Sequence, residues 1–237
     1  MAVRTYVENF DRDPGGWFGW LGNFEGPKRL EMRNGAAISR SPWWIDYNHA
    51  PPGAGYLHML YCLMTKGPGF GEIYMEVAGE NRFVEEEFPT NFTNARITLR
   101  LKGELEARGA QMVFLAQGTR DGLTSGWALT SSAFPVTPEW SECTAVAAPD
   151  PRLWTCLGAR HDRRRSYGFI ALPDILRNVN TNIMLILFPL TIAPMGPLDG
   201  DPHILRPGRD YPVWQSRLPE GYIVLDEIGI EFPEEKP

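Results

Sequence analysis

The sequence predicts an all-β chain folded as a two-sheet antiparallel β-sandwich with one short helix. Three observations carry that reading. Proline (21) and glycine (24) are spread over all 237 residues, so they punctuate many short segments instead of marking one linker. The segments between them alternate, or run apolar, over strand lengths. One brief stretch alone has helical spacing.

Taken in order, Tyr6 to Asp11 reads as a first strand, closed by Pro14-Gly15-Gly16 and followed by Trp17. Tyr56 to Met64 and Met112 to Ala116 are apolar in both phases, which places them centrally or along a cleft. Ile97, Leu99 and Leu101 alternate with Thr98, Arg100 and Lys102, giving one buried and one wet face. Leu172, Ile175 and Leu176 are spaced for one apolar side of a helix over Pro173 to Val179. Ile183 to Phe188 reads as a fully buried strand. Tyr222 to Phe232 alternates again, with Tyr222, Val224, Ile228, Ile230 and Phe232 in one phase. Each half-apolar strand must cover its apolar face with a second layer, hence two packed sheets. Residues 1–232 are expected to form a single domain, with a disordered tail over 233–237.

Composition narrows the function classes. The net charge of −6 argues against a nucleic-acid partner, and the short basic run Arg160, Arg163, Arg164 and Arg165 suits a solvated loop. No basic stretch followed by an apolar one opens the chain, so no signal peptide is evident and a cytoplasmic location is expected. The longest apolar run, Ile183 to Leu190, is far below the roughly 18 residues a membrane span needs. Cys62, Cys143 and Cys156 are an odd number without metal-type spacing, so at least one stays unpaired, and a small buried thiol explains the two that lie in segments read as strands. No Gly-x-Ser-x-Gly elbow, phosphate loop, dinucleotide fingerprint or Cys-x-x-Cys occurs, which sets aside redox and nucleotide chemistry.

Asp226 falls in the alternating phase of Val224, Ile228 and Ile230, so it is expected to point to the core. A buried carboxylate needs a cation, an arginine or several N–H donors. The opening Asn9-Phe10-Asp11 with Trp17, and the closing Tyr222-Ile223-Val224-Leu225-Asp226-Glu227-Ile228, resemble the ends of galactose-binding-like jelly rolls among carbohydrate-binding modules. Pro52 to Met59 and Glu139 to Thr144 resemble that family's glycine-led and tryptophan-led strands. The resemblance implies a jelly-roll topology with first and last strands as neighbours. It also implies a structural calcium held by Asp11, Asp226 and Glu8, although Asp11 stands where the family usually carries Glu. The alternative for Asp226 is an arginine partner or a turn cap.

Sugar binders stack pyranose rings on aromatic faces and bridge hydroxyls with polar side chains. Trp17, Trp20, Trp43, Trp44, Tyr47 and Tyr56 are the ligand-binding candidates on that ground, mixed with Asp46, Asn48, His49 and His58. Neighbouring strand residues face opposite ways, so Trp43 and Trp44 cannot share one face, and one of them is expected near a surface or cleft. Trp127, Trp140 and Trp154 read as structural. The expectation is a protein that binds a glycan or another small organic ligand, with no membrane partner. The alternative is a stand-alone jelly-roll enzyme, a glycan hydrolase, lyase or cyclase, in which His58, His49 and Asp46 move protons in a concave cleft. A third reading, an assembly subunit, predicts a large apolar patch instead of a pocket.

Overall fold

The computed structural model describes residues 4–22, 26–46, 56–67, 72–158, 166–190 and 217–234. In chain order the elements are β1 (Arg4–Glu8), β2 (Trp17–Gly22), β3 (Gly26–Lys28), β4 (Glu31–Arg33), β5 (Ala36–Arg40), β6 (Ile45–Asp46) and β7 (Tyr56–Met64). Two short helices follow, α1 (Glu72–Ala78) and α2 (Arg82–Glu85), then β8 (Arg96–Glu106), β9 (Gln111–Arg120), β10 (Leu123–Ala128), β11 (Ser141–Val146) and β12 (Thr155–Cys156). The chain continues through α3 (Leu172–Arg177), β13 (Asn182–Leu190) and β14 (Glu220–Phe232).

These strands form two antiparallel sheets. The first runs β11-β8-β14-β5-β4, with β1 also paired to β14. The second runs β12-β10-β9-β13-β7-β2-β3, with β6 also paired to β7. The expected two-sheet sandwich is therefore observed, and β1 and β14 lie side by side. Two hairpins show why the chain reverses where it does. Asn34 and Gly35 join β4 to β5, and Asp121 and Gly122 join β9 to β10, all four with positive φ. That geometry matches the twist of the flanking strands and favours Asn-Gly and Asp-Gly.

Between the sheets lies one apolar core. Ile97, Leu99 and Leu101 of β8 and Ile228 and Ile230 of β14 meet Tyr61 and Leu63 of β7, Phe114 of β9 and Leu185 of β13. The second sheet is buried on its other face as well. There Met59, Cys62, Val113, Leu115, Met184 and Ile186 form a second cluster with Tyr74 and Ala78 of α1. This is why β7 and β9 are apolar in both phases. The first sheet keeps its outer face largely wet, as β8 alternation required.

The structure corrects the phase of β14. Leu225 pairs with Leu101 but Glu227 pairs with Arg100, so Asp226 is the extra residue of a β-bulge. A bulge shifts the alternation by one. Ile223 and Leu225 enter the core before it, Ile228, Ile230 and Phe232 after it, and Tyr222 and Val224 pack outside with Ala36 and Ile38. Asp226 does not point to the core: it is 28% exposed and ion-paired with Arg100. β7 carries a matching slip at Leu60, which sends both Leu60 and Tyr61 to the core.

Helix is more frequent than the single stretch expected. α3 sits where the spacing placed it, two residues shorter at its end, with Leu172, Ile175 and Leu176 buried. α1 and α2 add seven and four residues. No helix among the described residues is long and apolar enough to cross a membrane. Glu234 and Pro233 are exposed and outside regular structure, and residues 235–237 lie outside the described ones, as does the basic run at 160–165.

Candidate functional site

A cavity of about 260 Å³ opens where the chain crosses from one sheet to the other, between β3 and β4. β3 is the edge of the second sheet and β4 the edge of the first, so the crossover Arg29-Leu30 closes one side of the sandwich. Leu30 is buried there as part of the core. The walls carry Trp20 and Trp43 together with Lys28, Arg29, Glu31 and Arg40.

Local bonds fix this site. Trp43 Nε1 donates to Ser39 Oγ at 2.9 Å, and Ser39 Oγ donates to the Leu60 carbonyl at 3.0 Å, which locks the indole against β5 and β7. Arg40 Nε donates to Glu31 Oε2 at 2.9 Å, and its guanidinium lies 4.9 Å from the centre of the Tyr222 ring. The Asn34-Gly35 turn sets that ion pair: it makes Glu31 face Ile38, so Arg40 is its diagonal neighbour on the same side. Arg29 donates to the Glu76 carbonyl of α1, tying the crossover to the helix. Gly19 also lines the cavity, and a Cβ there would meet Lys28 O at 3.7 Å and Leu30 and Leu60 O at 3.8 Å, ordinary contacts.

Of the aromatic candidates, Trp20 and Trp43 reach this cavity. Trp43 and Trp44 go to opposite clusters, as alternation demands, but both are buried because the second sheet is covered on both faces. Trp44 packs against Trp20 with ring centres 6.1 Å apart. Trp17 is fully enclosed and donates from Nε1 to Tyr6 Oη at 2.9 Å, so it packs the core and presents no face to a ligand. Tyr56 is half-buried at the start of β7, against the core. Tyr47 and His49 lie outside the described residues, and Asp46 is described in its backbone alone.

His58 was the other proton-transfer candidate. It is fully buried, with Nδ1 3.2 Å from the Trp44 carbonyl oxygen and its ring 5.8 Å from that of Trp43. It stands beside Trp43 and is not part of the cavity wall. Burial pushes its pKa down to about 4, against a weaker upward pull from the Trp44 carbonyl, so the imidazole is neutral at pH 7. The three cysteines are free, and burial raises Cys62 and takes Cys143 to about 11, so neither is a thiolate at neutral pH.

The three acids implied as calcium ligands are not gathered. Glu8 is 1% exposed and forked onto Arg82, with Nε to Oε2 at 2.9 Å and Nη2 to Oε1 at 2.6 Å. Arg82 also binds Asp13 at 2.9 Å, and Phe10 N–H donates to Glu8 Oε1 at 3.0 Å. Asp11 is exposed and accepts from Asn9 Nδ2 at 2.8 Å. Asp226 holds Arg100, the arginine partner weighed above. Among the described residues no three His, Cys, Asp or Glu side chains lie close enough to share a metal ion.

Lys28, Arg29, Glu31, Ser39 and Arg40 were not singled out from the sequence. The signal for two of them was legible, since Asn34-Gly35 between alternating segments fixes a hairpin register and thereby pairs Glu31 with Arg40. Trp127 and Trp154 are structural, donating from Nε1 to the Ile170 and Ala148 carbonyls at 3.0 and 2.9 Å. Trp140 is 39% exposed, with Arg100 and Lys102 each 4.7 Å from its ring. Comparison of the chain with models of protein families, with curated proteins and with solved structures finds no match.

Proposed function

We propose that the protein is a ligand-binding β-sandwich that takes a glycan end, or another small polar organic molecule with an apolar ring face, into the cavity at the β3–β4 crossover. The observation that carries this is the wall itself: Trp20 and Trp43 beside Glu31, Arg40 and Lys28. Indole offers an apolar face to a ring, and the charged groups offer donors and an acceptor to hydroxyls. At about 260 Å³ the space is slightly under the roughly 300–1,000 Å³ of drug-sized sites, which suits one ring rather than a long chain. The side-by-side β1 and β14, an arrangement the galactose-binding-like resemblance implies, lends support.

The test is binding of the purified full chain to a broad glycan panel, followed by Gly19→Val. That substitution adds bulk to the cavity wall at a position whose backbone is unstrained and whose Cβ meets only ordinary contacts. A hit of about micromolar affinity, near −8 kcal/mol, that Gly19→Val weakens at least about ten-fold supports the reading. Undiminished binding by the folded variant removes the ligand from this cavity, and a panel without any hit removes the function.

A further inference from the structure

We infer that the protein self-associates through β11, whose free edge pairs with the β11 of a second copy about a two-fold axis at Thr144, joining two first sheets into one. The edge itself is the first argument. Of the strands at the sheet ends, β11 is the longest, with six residues against three each for β3 and β4 and two for β12. Ala147 N–H donates to the Ala95 carbonyl at 2.9 Å, so by alternation Ser141, Cys143 and Ala145 turn their backbone groups to β8. Glu142, Thr144 and Val146 turn theirs outward, and all three side chains are exposed.

An open edge is a template for another strand, and natural edges are blunted by lysine, proline, a bulge or an inward charge. β1, the five-residue strand beside β14, has such a guard in the buried carboxylate of Glu8. β11 has none: Ser141–Val146 contains no lysine or proline, its register with β8 is unbroken, and Cys143 and Ala145 face the core. Self-complementarity then selects the partner. With Thr144 opposite Thr144 of the second copy, the two exchange N–H and carbonyl bonds, and Glu142 stands opposite Val146. No like charges oppose each other across the pair, which favours that register. Val146 and, just before the strand, Trp140 are each 39% exposed, apolar surface at both ends of this edge for a second copy to cover. β4, which borders the cavity, is the opposite edge of the sheet, so both cavities stay open. On the binding reading above the pair has two sites, although the pairing does not depend on that reading.

Sedimentation equilibrium of the full chain tests this. An edge contact is smaller than a standard interface, so dimers are expected to form between about 10 µM and about 1 mM chain. Thr144→Lys sets like charges against each other at the axis and should weaken association at least about ten-fold. Val146→Glu sets a carboxylate against Glu142 of the second copy and should weaken it about five-fold, and adding Glu142→Gln should restore most of the loss. These side chains are exposed, and circular dichroism checks the fold of each variant. A wild type that stays monomeric throughout overturns the inference, as does association that Thr144→Lys leaves unchanged. Weakening by Val146→Glu that Glu142→Gln does not relieve overturns the axis at Thr144.

Discussion

Glu8 and Glu31 each pair with an arginine, yet at 1% and 48% exposure the two pairs obey different physics. Glu8 ends β1 inside the protein, and its burial is tolerated because Arg82 forks onto both oxygens and the Phe10 N–H supplies a third bond. Breaking such a pair leaves a buried charge unmatched, which is costly whatever the pair contributes when intact. Glu31 lies at the cavity with its charge already in water, so its partner can be exchanged. The first pair anchors a strand and the second is available for work. The interior beside the cavity is kept free of charge by another route, a histidine held neutral.

The largest effect expected from that contrast is Glu8→Ala. It leaves Arg82 with Asp13 and removes the acceptor of the Phe10 N–H, and should cost about 3 kcal/mol in urea unfolding. A loss well under 1 kcal/mol would place this pair with ordinary surface bridges.

His58 should come next. Its folded pKa of about 4 lies below the ordinary 6.5, so the unfolded chain takes up a proton before the folded one does. Its stabilising contribution is therefore complete above pH 6.5 and is lost as the pH falls toward 4. The full difference is about 3 kcal/mol, at 1.36 per pKa unit. Urea unfolding of the wild type against His58→Gln at pH 7 and 4.5 isolates it from the titrating acids. An advantage of wild type that stays constant over that range would show that His58 is not held neutral.

Arg40→Gln should change stability by less than about 1 kcal/mol, because its pair with Glu31 is solvated. A larger stability loss would make Arg40 an anchor like Arg82. The smallest effect is expected of Asp226→Asn, a few tenths of a kcal/mol, since its arginine is 44% exposed. A drop of several kcal/mol there would mean that the bulge depends on this charge.

The layout of the sandwich was legible where the period was uninterrupted. Ile97, Leu99 and Leu101 named the inner face of β8 because nothing breaks that strand. In β14 a single extra residue reversed the phase, and Tyr222 and Val224, grouped by spacing with the core, pack outside it. Alternation read across a bulge misplaces every residue on one side of it. α2 escaped notice because four residues are too few to display a helical period, whereas α1, a residue longer than α3, was passed over. Trp43 and Trp20 drew attention as aromatics, whereas the charged half of the cavity depends on two sheet edges meeting, and no local pattern records that meeting.

β14 has β8 along one flank and β5 and β1 along the other, so the centre of the first sheet is the last described strand in the chain. During synthesis, β1, β4, β5, β8 and β11 all emerge before the strand that joins them. β8 and β11 can pair meanwhile, as can β4 and β5, but these two strand pairs wait as separate pieces with open edges. Assembly of the sheet is thus a late event dominated by contacts distant in sequence, which are slow to close. A ribosome-stalled chain lacking the final strand should therefore be protease-sensitive across β8 and β5 while the β9–β10 hairpin of the other sheet is already formed.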